Sequence, residues 1–548
     1  VSRVTTASPN AAPCYVEESF TDDERSVLRR YFTNLEGPVF ALVNLPEVVK
    51  GALFARYSRS AKSLRRLFLD EFVGELDTAG DASVDATIGL ERAEALYDRV
   101  FFEYGDDSVA QLGGVHLACE QSSNLLTKIL EWGRLMSYLE QSTRYIPYDE
   151  RLGGRYRYFR DPEILASNLG ARYVSDMDLL FEIYSELAER MGEHFRSRHP
   201  KGETDSDFVY RQAIRAKAFD AVRGILPAAA LSNVGIYGSG QAFEALLLRM
   251  RSHPLPEARS YSDLMLTELR KVIPSFLKRV DLPDRGVAIS DYQATNRKAM
   301  EAVAYGMLDD GTASPQQSGV ELVGFDPDGE LKVVAAMLYP YTDLPEERLV
   351  EKVRSMSVED RLSVMHSYVG DRANRRQRPG RALERTDYRF DVLSDYGAFR
   401  DLQRHRIATI DWQELGPHHG YLCPPSIEEA GATQRYDEAM ATSEALWEAL
   451  AGQFPERAAY AVSLAHRIRY VMQFNAREAM HLLELRSSVQ GHPSYRAVAQ
   501  RMHELIAERA GHRAIAEMMR FVDHTGGDEL ERLSSERRAE ERRAAKSG

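Results

Sequence analysis

The chain of 548 residues carries a formal net charge of −13, with 44% hydrophobic and 28% charged residues. That balance belongs to an ordinary globular protein with room for two large domains, and its acidity argues against a binder of nucleic-acid polymers while leaving small anions open at local basic sites. Three scattered cysteines (Cys14, Cys119 and Cys423) form no CxxC pair, which argues against a disulfide framework or a zinc ribbon and fits a reducing cytoplasm.

In chain order, residues 1–20 read as a loose tail without the charged and apolar regions of a secretory signal. No run approaches the ~20 apolar residues needed to span a membrane. From about Asp22 to Gly311 the pattern is mostly helical, with apolar residues at i, i+3 and i+4 in SVLRRYF, SNLLTKILEWGRLMSYL and SDLMLTELRKVIPSFLKRV. The run GIYGSG lacks the context of a dinucleotide fingerprint and reads as a tight turn. GTASPQQSG, residues 311–319, is the linker candidate. After it, VELVGFDPDGELKVVAAMLY reads as a hairpin around DPDG. The last residues, 526–548, are a charged tail. The expected domains are therefore 21–310 and 320–525. A weak repeat relates ALFARYSRSAKSLRRLFLDEF (from Ala52) to AAMLYPYTDLPEERLVEKV (from Ala335), each read as a strand-like run, a turn and an amphipathic helix.

Two motifs carry chemistry. In the first, Trp132-Gly133-Arg134 leads on to Glu140-Gln-Ser142-Thr-Arg144-Tyr145; a helix runs into the motif, and Pro147 stops regular structure. Ser142 and Arg144 are two apart, so an extended segment would put a hydroxyl and a guanidinium on one face, a good phosphate grip. The plainer alternative is a helix C-terminus with a capping serine. The second motif, Arg404-His405-Arg406-Ile-Ala-Thr409, clusters donors for an anion or an electron-rich ring. Its plainer alternative is a solvated basic patch. His418 and His419 lie nearby, but no third ligand stands at zinc-like spacing, and no metal is expected.

These motifs resemble the signature of flavin-dependent thymidylate synthases, in which RHR is followed by a serine and then E-x-S-x-R-Y. Here the signature is split. The C-terminal half keeps Arg404, His405 and Arg406, with Thr409 for the serine, and has Trp412, Glu414, Gly416 and Pro417 where the remainder should be. The N-terminal half has Trp132-Gly133-Arg134 in place of RHR but keeps Ser137, Glu140, Ser142, Arg144 and Tyr145. Later segments sort the same way. The family's arginine before Leu-Pro is Arg223 in the N-terminal half and Ala459 in the other. The N-x-R helix with its terminal arginine is Asn475-Ala-Arg477, His481 and Arg486 in the C-terminal half, against small residues and Arg249 in the N-terminal half.

The resemblance implies a helix-rich α/β (α+β) fold of two tandem domains, each a small twisted sheet with long helices. It implies methylation of dUMP to dTMP, with FAD as cofactor and with methylenetetrahydrofolate (a folate) and NADPH as co-substrates. Arg486 would stabilise charge on the pyrimidine as the catalytic residue. Glu140, Ser142, Arg144, Arg223 and Arg404 would bind substrate. Arg404, His405, Arg406, Asn475, Arg477, His481 and Ser108 would hold the flavin. A homodimer would then form a pseudo-tetramer. One departure is the family's His-x-Ser/Thr-Pro-x-Glu-His element, for which the halves offer Asp106-Asp-Ser108-Val-Ala-Gln, and Pro379-Gly-Arg381-Ala-Leu-Glu384-Arg385. The competing readings are a non-catalytic relative that binds flavin or nucleotide as a regulator or partner, and a helical interaction protein whose RHR and SxRY are surface charge.

Overall fold

The computed structural model describes residues 15–45, 53, 57, 60–71, 114–202, 205–308 and 319–525. Ser108, the linker residues 311–318 and the tail 526–548 lie outside them.

Along Arg467–Asn475, burial alternates residue by residue, with Ile468, Tyr470, Met472 and Phe474 turned inward. That period of two is what a strand with one face on a core requires. The strand is β8, and its neighbour β6, Asp387–Asp395, pairs with it antiparallel from Asp387↔Asn475 to Asp395↔Arg467. The edges are β5, Gly319–Phe325, beside β6, and β7, Thr409–Trp412, beside β8. The sheet order is thus β5-β6-β8-β7.

The N-terminal half repeats this plan. Its strands β1 (Val39–Leu42), β2 (Gly114–Ser123), β3 (Met136–Glu140) and β4 (Leu231–Ser239) form a second antiparallel sheet, ordered β1-β2-β4-β3. Each half also follows its second strand with a short helix, Asn124–Leu130 or Tyr396–Leu402. Each follows its fourth strand with a longer one, Gly240–Arg251 or Ala476–Arg486. This is a helix-rich α+β architecture built twice.

Packing divides the chain into two units that do not follow the halves. One comprises Val1–Ser185, Ile225–Ser314 and Asp437–Val462; the other comprises Glu186–Gly224, Pro315–Tyr436 and Ser463–Gly548. The second unit thus includes the N-terminal half's segment Glu186–Gly224, and the first includes the C-terminal half's segment Asp437–Val462.

Several local expectations are corrected. The helix in SNLLTKILEWGRLMSYL ends at Leu130, and Met136–Glu140 is strand β3, paired with β4 from Met136↔Gly238 to Glu140↔Val234. Apolar spacing fits both readings, and tertiary pairing decides. GIYGSG is the end of β4 and the start of the next helix rather than a tight turn. Its glycines allow close approach, since a Cβ on Gly238 would lie 2.6 Å from Met136 Cε and one on Gly240 2.8 Å from Phe276. DPDG joins a strand to the helix Gly329–Leu338, not two strands. Good helix formers fill that run, and Glu330 in its first turn accepts the Ala514 and Ile515 N–H groups. The strand-like run at Ala335 is therefore helical. Residues 15–20 are no loose tail either. Tyr15 donates to Glu120 at 3.1 Å, Val16 donates to Gln121 at 3.3 Å, and Glu18 pairs with Arg66 at 3.0 Å.

Candidate functional site

The site grows from the end of β6. Asp395 closes that strand and caps the helix Tyr396–Leu402, accepting the Ala398 N–H at 2.9 Å. The helix is short, and the loop after it carries Arg404, His405 and Arg406. The end of β8 supplies the facing wall. Asn475 caps the helix Ala476–Arg486 by accepting the Glu478 N–H at 2.9 Å. One turn in stands Glu478, two turns in His481, and at the end Arg486.

These residues form a chain of contacts around a buried histidine. Arg486 Nε lies 3.0 Å from His405 Nε2, and His405 Nδ1 lies 2.9 Å from Glu478 Oε1. A guanidinium only donates. Nε2 must therefore accept, Nδ1 must carry the proton, and Glu478 receives it. Burial, with Arg486 beside it, keeps His405 well below its usual range and thus neutral. Burial also pushes the Glu478 carboxyl up to about 7. His481, its ring 5.3 Å from that of His405, is pushed down to about 4 by burial and by Arg378, whose Nη2 lies 3.0 Å from His481 Nδ1. Arg486 is itself lowered by burial but stays cationic at any ordinary pH.

Asp401 ties the cations together. Its carboxylate lies 3.8 Å from Arg486, 4.0 Å from Arg404 and 3.3 Å from Arg223. Arg223 comes from the N-terminal half, at the end of the helix Asp207–Val222. It is buried, and its Nη2 has no hydrogen-bond partner among the described residues. Gly397 makes room for it, because a Cβ there would stand 3.2 Å from that same Nη2. A buried guanidinium arm without a partner is costly, and an anion would satisfy it.

The rim is an arginine-rich loop. Arg372 grips Glu484 with both arms at 2.6 Å, a buried fork-on-fork pair that fixes the loop to the helix Ala476–Arg486. Arg477 donates to the Pro379 carbonyl at 3.1 Å and to Glu384 at 3.3 Å. His405, Glu478 and His481 hold ligand atoms within 4.8 Å of one another, a spacing that suits a metal ion. Both ring nitrogens of His405 are engaged, however, and Arg486 and Arg378 reach into the same trio. The surroundings favour an anion over a cation.

A family model described as thymidylate synthase complementing protein matches residues 54–275 and again residues 321–511. The chain belongs to that family. The two matches mark a tandem duplication of the flavin-dependent thymidylate synthase type. Among curated relatives, a UPF0159 protein of Chlamydia muridarum (strain MoPn / Nigg) is 39% identical over 95% of this chain and 99% of its own. One from Chlamydia pneumoniae is 39% identical over 96% and 99%, and one from Thermoplasma acidophilum is 30% identical over 89% and 97%. Among solved structures, a UMP/dUMP methylase from Streptomyces cacaoi bound with 5-Br dUMP has 18% identity and a TM-score of 0.30, covering 38% of this chain and 98% of that one. Thymidylate synthase X of Helicobacter pylori with FAD and dUMP has 14% identity and a TM-score of 0.29, covering 37% and 99%.

The family's signature residues fall in different surroundings. Arg404, His405, Asn475, Arg477, His481, Arg486 and Arg223 all lie in the second unit, with Arg406 on the same loop. Glu140, Ser142 and Arg144 lie in the first. Glu140 is buried and held by Lys128 at 3.2 Å, which also binds Glu131 at 2.5 Å. Ser142 and Arg144 do not lie on an extended segment. They sit in a turn closed by the Tyr145 and Ile146 N–H groups on the Ser142 carbonyl, with Ser142 Oγ accepting the Arg144 N–H at 3.2 Å. Ser108 is outside the described residues. Sequence reasoning missed Asp401, Glu478, Gly397 and Arg378. Of these, Glu478 had a signal, since Asn475-x-x-Glu478 matches the spacing of a capping box.

Proposed function

We propose that this chain is a flavin-dependent thymidylate synthase that methylates dUMP to dTMP at a composite site drawing on both halves of the sequence. The observation that carries this reading is Arg223, from the N-terminal half, 3.3 Å from Asp401 in the unit that holds His405 and Arg486. The residues fit anionic, electron-rich ligands: fixed guanidinium groups, one with an unpaired buried nitrogen, and a neutral histidine held in one tautomer.

In this reading Arg404, His405, Arg406, Asn475, Arg477 and His481 hold FAD, whose reduced ring supplies a hydride when bound. NADPH is the reductant and methylenetetrahydrofolate the carbon donor. Arg486 stabilises negative charge as it develops on the pyrimidine edge, which makes C5 nucleophilic. His405 and Asp401 keep that guanidinium aimed. Glu140, Ser142, Arg144 and Arg223 bind the substrate, the last three at its 5′-phosphate. The protein acts in the cytoplasm as a homodimer. No helix among the described residues is long and apolar enough to cross a membrane.

One observation favours a second reading, a non-catalytic relative that binds flavin or nucleotide. The element Pro379–Arg385 lacks the family's histidines, and its Glu384 is held by Arg381 at 2.9 Å and Arg477 at 3.3 Å. The deciding experiment is the visible absorption spectrum of the purified protein under titration with dUMP. A flavin spectrum perturbed by dUMP, followed by dTMP formation with methylenetetrahydrofolate, supports the synthase. Flavin without turnover points to the second reading, a protein that takes up no FAD overturns the synthase and leaves the second reading, and a protein that binds neither FAD nor dUMP overturns both. Mixing inactive Arg404→Ala and Arg144→Ala proteins then tells whether the paired halves belong to one chain or two.

A further inference from the structure

One helix of the first unit is built inside out. Ala288–Leu308 runs for 21 residues. Its polar side faces its own unit: Ser290 donates to the Leu248 carbonyl at 3.2 Å, Gln293 accepts from Ser252 at 3.0 Å, and Arg297 donates to the Ser252 carbonyl at 2.5 Å. Those positions recur at i, i+3 and i+7 and so define one face. The neighbouring face carries Ile289, Tyr292, Ala299, Met300, Val303 and Met307, an apolar strip at seam spacing interrupted once, by Asn296 at its middle. The strip is exposed, at 67% for Tyr292, 62% for Met300 and 76% for Met307. Scattered exposed apolar residues need no explanation, but a strip the length of a helix does. The usual surface helix has the opposite arrangement.

We propose that this strip is where a second copy of the chain docks, helix against helix and antiparallel, about a two-fold axis through Asn296. The strip is its own complement about that point. Tyr292 shares a layer with the partner's Met300, and Ile289 shares one with the partner's Val303. Each layer reads the same from either copy, which an isologous contact requires. Asn296 meets the partner's Asn296 on the axis. An amide carries both donors and an acceptor, so two of them can satisfy each other. A single asparagine within an apolar seam fixes register at some cost in stability, which accounts for a polar residue at that one position. The area suffices for a specific contact. The paired stretch, residues 289–303, spans ~22 Å, and two such helices bury on the order of 1,000 Å² in total, the size at which specific interfaces begin. The inference is independent of the proposed reaction.

Sedimentation equilibrium of the full chain tests it. The expected result is a dimer that the double variant Tyr292→Glu/Met300→Glu weakens at least ~100-fold by setting like charges opposite each other, with an unchanged circular dichroism spectrum. Tyr305→Glu, on the opposite and equally exposed side, leaves association as it was. Asn296→Cys, on the axis, gives an oxidised cross-linked dimer that the parent chain does not form. A monomeric parent chain overturns the proposal, as does a dimer that survives the double glutamate variant.

Discussion

The two halves share a strand order and differ in what they place at the same point of it. After β6, the C-terminal half has Gly397 in its short helix, His405 in the loop, and Arg486 donating to that histidine. After β2, the N-terminal half has Leu125 in the matching helix, Gly133 in the place of His405 with Trp132 in that of Arg404, and Arg249 over the indole ring at 5.0 Å. Arg249 also donates to the Ile129 carbonyl at 3.0 Å. One half keeps a buried neutral histidine between a guanidinium and a carboxyl group. The other stacks its arginine on an aromatic ring and engages Lys128 with Glu131 and Glu140. The difference teaches that a duplicated scaffold can retain its fold while one copy gathers its polar residues around a buried histidine and the other sets them against an aromatic ring and a buried lysine.

The sharpest way to break this comparison is at the paired helix-ending arginines. Arg486→Ala is expected to lower kcat/KM for dUMP by roughly 10²–10³, the scale of losing one preorganised donor. Arg249→Ala is expected to change it only a few-fold. Equal losses in steady-state assays would mean that the N-terminal half also does chemistry.

Next in size is a pH effect with a counterpart in each unit. Burial raises the Glu257 carboxyl from 4.5 to about 7, despite hydrogen bonds from Ser123 and Tyr460. A carboxyl whose folded pKa lies above its unfolded value contributes stability that is full below about 4.5 and lost as pH rises through about 7. The rise corresponds to roughly 3 kcal/mol. Glu478 behaves likewise, with the cations beside it working against the effect. Chemical denaturation between pH 5 and 8 (about the window those values set) should show Glu257→Gln with a flatter stability profile than the parent, and Glu478→Gln with a smaller flattening. An unchanged slope in Glu257→Gln would mean that this carboxyl is ionised throughout.

A smaller effect is expected at the arginine before Leu-Pro. Arg223→Ala should raise the KM for dUMP about ten- to a hundredfold, the value of one charge-assisted hydrogen bond. Placing the missing arginine in the other half, Ala459→Arg, should leave KM unchanged. Gly397→Leu, the residue its counterpart helix uses, should copy Arg223→Ala by filling the space the guanidinium needs. Last, Trp132→Ala removes the ring under Arg249 and should cost about 1 kcal/mol in stability with little change in kcat, as read by thermal unfolding and turnover together.

Much of the site was legible without coordinates. The RHR loop, the Asn475–Arg486 helix and Arg223 are short motifs whose chemistry is carried by residue type. Their partners were not. Asp401 is an ordinary acid within a helix until the fold sets it against Arg223, 178 positions away in the chain. Gly397 shows its purpose only beside that guanidinium. The errors in local structure have one cause. Met136–Glu140 and Gly329–Leu338 have apolar spacings that suit either a helix or a strand, and pairing with β4, or packing against the Thr386 and His512 side chains, settles which.

By itself, then, the sequence determined the family, the duplication and the sorting of signature residues between halves, because each of these resides in residue identity and order. Only the tertiary structure decided that Arg223 joins the histidine cluster, that Asn475 and Glu140 act within local hydrogen-bond and ion-pair networks, and that one helix turns its apolar side outward. Those outcomes depend on burial and on distances between residues far apart in the chain, which no local pattern encodes.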